Sequence, residues 1–131
     1  MSCTNNCKIC DRIVISSSVS VVTVDGVDTL VIDLPLQTYL NKEKYCVVIA
    51  QTIPTTATIN MPVAFSIGGV TTTVYPFVKC DCSQITACAI KTRTRYPVLV
   101  STSVTSGVFK SLINLNCYPT NVLPSLPVSA T

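Results

Sequence analysis

Between Arg12 and Val24 apolar residues return with a period of two: Ile13, Ile15, Val19 and Val21 alternate with Ser16, Ser18 and Ser20. That is the pattern of a strand with one buried face. Val22 and Val24 fall out of phase, which predicts a bulge or a change of side there. Asp25-Gly26 follows as a two-residue hairpin signal, and the return strand puts Leu30, Ile32 and Leu34 on one face, with Val27, Thr29, Val31 and Asp33 on the other. Pro35 closes it. More β-branched segments follow at 45–52, 55–60, 63–67, 70–75, 85–104 (interrupted at Pro97) and 108–116, with Gly68-Gly69 as a second tight turn. Only 36–44 has the composition for a turn of helix.

About eight short strands at such spacing predict an all-β protein, an antiparallel β-sandwich or jelly roll, because an antiparallel sheet must bury one face against another sheet or itself. The ends differ from the middle. Residues 1–11 are polar and cysteine-rich and read as an N-terminal arm; residues 12–117 form the body. Residues 118–131 carry Pro119, Pro124 and Pro127 and no charged side chain, which favours an extended C-terminal arm. Its Val122, Leu123 and Leu126 are candidate contacts with a neighbouring subunit.

Composition sharpens the picture. Only 11% of the 131 residues are charged, 48% are apolar and the net charge is +3. Such a chain has the means to fold, but a surface so poor in charge resists association weakly, as suits a homo-oligomer or a protein seated on a lattice. No apolar run approaches the roughly 18 residues of a membrane span, and the N-terminus has no signal-peptide pattern, so synthesis in a host cytoplasm is expected, with no membrane partner.

The cysteines are Cys3, Cys7, Cys10, Cys46, Cys80, Cys82, Cys88 and Cys117. Cys46, inside an apolar strand, reads as a small buried side chain. For Cys3, Cys7, Cys10, Cys80, Cys82, Cys88 and Cys117 the leading expectation is disulfides within or between subunits, formed after release from the reducing cytoplasm. The alternative is a zinc site from Cys7, Cys10, Cys80 and Cys82; with no histidine in the chain, four thiolates are the common structural set left. The missing histidine also removes every Cys-His and Ser-His catalytic arrangement, and the scattered carboxylates form no acid–base pair. No enzyme, cofactor or small-molecule substrate is expected.

One charged constellation stands out in AIKTRTRY: on an extended strand Lys91, Arg93 and Arg95 share a face at about 7 Å intervals, a ladder for phosphates or a neighbour's carboxylates. Without interleaved aromatics it is a poor nucleic-acid site.

The segments EKYCVVIAQTIPTTATINMPV and ITACAIKTRTRYPVLVSTS, with the opening MSCTNNCKIC, resemble small particle-decorating structural proteins of Clostridia-type bacteria and their phages and prophages. The chain is also similar to the jelly-roll subunits of endospore appendages, though its opening lacks their adjacent cysteine pair. The resemblance implies extracellular particle or fibre architecture: a bacteriophage virion component on a capsid or tail, or a filament whose arm cysteines crosslink stacked subunits.

Overall fold

The structure is a computed structural model, and it describes residues 12–103, 106–115 and 117. The expected arms, residues 1–11 and 118–131, lie outside the described residues. Eight strands run in chain order as β1 (Ile13–Ile15), β2 (Ser18–Val24), β3 (Val27–Leu34), β4 (Lys44–Val48), β5 (Val63–Ile67), β6 (Val70–Val78), β7 (Arg95–Thr102) and β8 (Gly107–Ser111). They make one curled sheet, a half-barrel, in the order β1-β4-β7-β8-β6-β5-β3-β2. The fold is all-β, but the sheet is mixed rather than antiparallel: β1–β4, β3–β5 and β6–β8 pair in parallel.

The two glycine turns fall where the sequence puts them. Asp25 and Gly26 take φ of 50° and 80°, and Gly68 and Gly69 take 63° and 81°, the left-handed pairs that let strands reverse in two residues. Val24 then faces Val27, and Ile67 faces Val70. In β3 the predicted face is fully buried at Leu30, Ile32 and Leu34, and Val31 and Thr29 behind it are covered as well.

The phase of the first strand is corrected. Val14 is buried while Ile13 and Ile15 are each 56% exposed, so the change of side falls at Ser16-Ser17 and not at Val22. Here the chain passes from one end of the sheet to the other. The Ser16 amide donates to Val48 O on the β4 side, and the Ser17 amide donates to Asp33 O on the β3 side. The buried Ser16 hydroxyl donates to Gln51 Oε1 and accepts from the Ala50 amide at 2.9 Å, while Gln51 Nε2 donates to Ser16 O at 2.9 Å. A serine fits because a buried corner needs both a donor and an acceptor.

One other expected strand is absent and another is shortened. Residues 55–60 are turns, with the amides of Ala57 and Met61 bonded back to Pro54 O and Thr58 O, so the backbone is satisfied locally and joins no ladder. Of 85–104, only Arg95–Thr102 is strand; Ala87–Ala89 is a short 3₁₀ turn. Pro97 does not interrupt β7 but is buried within it, opposite Cys46. The stretch 36–44 contains no helix.

The contiguous strands β5, β6, β8 and β7 gather their aromatic side chains in the core. Phe65 of β5 lies 4.8 Å from Phe109 of β8 and 5.0 Å from Phe77 of β6, and Phe77 meets Tyr96 of β7 edge-on at 6.2 Å. Gln84 Nε2 sits 2.9 Å from the carbonyls of Val63, Phe77 and Ile85, tying β5 to β6 from outside the ladder. Among the described residues, no buried side-chain nitrogen or oxygen lacks a hydrogen-bond partner.

Candidate interaction surface

The cationic ladder is not formed. Only Arg95 lies in a strand; Arg93 has φ of 60° and sits in a turn whose amide donates to Ile49 O at 2.6 Å. The buried Tyr96 fixes that turn, its hydroxyl accepting from the Lys91 amide at 2.7 Å. Burial pushes the Tyr96 phenol up, partly offset by the bonds from Lys91 and Thr94. The three cations are all exposed, and the one ion pair among the described residues joins Arg12 to Glu43 at 2.8 Å.

The cysteines divide into three sets. Cys88 and Cys117 form a disulfide with Cα atoms 5.5 Å apart, and the Thr86 hydroxyl lies 3.2 and 3.3 Å from their sulfurs. Cys46 is buried but is not a plain apolar side chain, because it is disulfide-bonded. Cys80 and Cys82 are free and exposed. They occupy a turn closed by the Lys79 amide on Ser83 O at 2.8 Å, with Cys82 at φ of 71°. Asp81 between them accepts from the Ser83 hydroxyl at 2.6 Å and the Ser83 amide at 3.0 Å; these bonds, with help from Lys79, hold its carboxyl below the usual range. Cys3, Cys7 and Cys10 lie outside the described residues, so only half of the alternative zinc set is in view. No metal-holding group of three or more His, Cys, Asp or Glu occurs among the described residues.

Two features escape the sequence reading. First, β2 is an edge strand seven residues long, SVSVVTV, bonded on one side to β3. It has no charge, proline or bulge, the devices that normally blunt a sheet edge. Second, β6 meets β8 only at Phe77 and Val78, and the sheet parts above them into an apolar groove of about 230 Å³. Tyr39, Ile67, Tyr75, Thr102, Val108 and Phe109 line most of it, with the Tyr39 and Tyr75 rings 5.9 and 6.3 Å from Phe109. The Tyr39 phenol donates to Pro35 O at 2.7 Å and is pushed up to about 12, chiefly by burial and then by Tyr45 and Asp33. Exposed leucines flank the opening: Leu36, 83% exposed, lies against Gly68, and Leu40, 52% exposed, follows Tyr39. No sequence signal announces the groove, since its walls come from five separate stretches.

The fold and surface thus define an all-β body with an open sheet edge and an aromatic groove. Comparison with protein-family models, curated proteins and solved structures finds no match to this chain. No helix among the described residues is long and apolar enough to cross a membrane.

Proposed function

We propose that the chain is a non-enzymatic structural subunit of an extracellular assembly, a phage virion component or a self-polymerising surface filament. The observation that carries this reading is the β2 edge. A seven-residue strand that among the described residues is paired on one side only, with neither charge nor proline, is a template for strand addition, and a second copy can pair with it without like-charge repulsion. The exposed Ile13, Ile15, Leu36 and Ile59 point the same way, as apolar surface that a neighbouring subunit can cover. One core cluster that joins Leu30, Ile32 and Leu34 of β3 to Tyr45 and Val47 of β4, strands from opposite ends of the sheet, supports reading the curled sheet as the two layers of a sandwich in the jelly-roll manner. The filament version gains from the free Cys80 and Cys82, which stand exposed where a neighbour's thiols can reach them. The nucleic-acid reading loses the strand ladder it was built on, since Arg93 sits in a turn and only Arg95 lies in a strand.

Sedimentation of the full chain tests the reading, with Val22→Lys as the partner variant. Val22 lies opposite in phase to the inward-packed Val19 and Val21, so a lysine there leaves the core alone and charges the edge. The wild type is expected to form oligomers that persist in reductant and that Val22→Lys reduces to monomer. A wild type that stays monomeric at high concentration overturns the proposal.

A further inference from the structure

We infer that β2 pairs with β2 of a second copy, antiparallel and about a two-fold axis through Val21, so that one sheet runs through both molecules. This rests on the structural-subunit reading and gives its contact a register and a symmetry.

The register follows from the backbone groups of β2 that β3 leaves unused. Along a strand the N–H and C=O of one residue point to the same side, and the side alternates from residue to residue. The Leu30 amide donates to Pro62 O and Leu34 O accepts from the Gly68 amide, so Leu30, Ile32 and Leu34 turn these groups toward β5. Asp28 shares their phase. Opposite them in β2 stand Val21 for Leu30, Val19 for Ile32 and Thr23 for Asp28. Val19, Val21 and Thr23 therefore aim N–H and C=O at the sheet margin, while Ser18, Ser20, Val22 and Val24 spend theirs on β3. With Val21 facing Val21, Val19 of each copy faces Thr23 of the other, and all these outward groups are satisfied. A slip that puts Ser20 on the axis leaves Thr23 without a partner, and one that puts Val22 there leaves Val19 without one.

Side chains and charge select the same arrangement. Val19 and Val21 pack inward against the core, and antiparallel pairing keeps the core faces of both copies on one side, with Ser20 beside Val22 on the other. Parallel pairing would turn the second copy over, so that the core face of one sheet continued as the outer face of the next. In register it would also set Asp25 beside Asp25 at the hairpin, whereas the two-fold sends the two turns to opposite ends. The other margin of the sheet, β1, offers only the three residues Ile13–Ile15 against the seven of β2, too few to cover it in a head-to-tail contact. An isologous pair closes on itself. The unit of any larger assembly is then this dimer, and its growth uses a different surface.

The experiment uses the full chain in sedimentation, with Thr23→Pro beside Val22→Lys, and amide exchange with resonance spectra of mixed isotope-labelled and unlabelled protein. Thr23 is exposed and its N–H is not spent on β3, so a proline there removes an outward donor and leaves the hairpin ladder in place. The smallest stable species is expected to be a dimer that Thr23→Pro weakens at least about tenfold. The Val19, Val21 and Thr23 amides should exchange slowly in the dimer and fast in Val22→Lys, with the Ser20 and Val22 amides slow in both. Mixed samples should show the Ser20 and Val22 α-protons of different chains in contact. Should Thr23→Pro not fold, the exchange and the interchain contact decide alone. Undiminished pairing of a folded Thr23→Pro, no interchain Ser20–Val22 contact, or slow exchange of the outward amides in monomeric Val22→Lys, which would mean that the chain covers its own edge, overturns the pairing. Where the wild type still assembles, those results leave the structural-subunit reading standing; a wild type that is monomeric throughout removes both.

Discussion

Asp33 shows how much a single side chain does in this fold. Its carboxylate accepts from the fully buried Ser66 hydroxyl at 2.7 Å and from the Gly69 amide at 2.7 Å, so one residue of β3 fixes both the neighbouring strand and its turn. Asp33→Ala strands the Ser66 hydroxyl without its acceptor and is expected to cost about 1–3 kcal/mol, read from the urea midpoint. Asp33→Asn keeps an acceptor oxygen and should recover part of the loss. Read as a sequence, Asp33 is only the polar member of an alternating strand. Its partners lie 33 and 36 positions away, and no local pattern carries them.

At the level of elements, the two glycine turns and the buried face of β3 were readable because each depends on neighbours in sequence. The first strand was not, since its inward position is set by β4 and the Gln51 side chain. TRTRY alternates like a strand, but Tyr96 holds the Lys91 amide and the left-handed Arg93 turns the chain, so the alternation has no ladder behind it. Cysteine connectivity was likewise closed to sequence, because spacing alone does not choose among partners. The Cys88–Cys117 bridge closes a loop with a sequence separation of 29, ties the 3₁₀ segment to the chain beyond β8, and restricts the unfolded chain. Cys88→Ser/Cys117→Ser should therefore lower stability by about 3 kcal/mol, seen as a lower guanidinium midpoint with an unchanged circular dichroism spectrum.

For the whole molecule, alkaline pH is the informative axis. Tyr39 titrates at about 12 when folded against an ordinary value of 10.0. Above pH 10 the unfolded chain gives up this proton while the folded chain keeps it, so stability is intact below pH 10 and falls as pH rises toward 12. Tyr96, raised in the same direction, adds to the slope. Unfolding followed from pH 9 to 12 should show this decline, and Tyr39→Phe should flatten it; a flat wild-type profile would mean that the Tyr39 phenol is open to water.

The corner at Ser16-Ser17 sets an order of events. A stretch that borders both margins of the sheet finds its seats only after β3 and β4 have been placed, and its partners come later in the chain than it does. Such dependence on distant pairings belongs to slow-maturing β proteins, in which incomplete molecules persist long enough to meet one another before each is sealed.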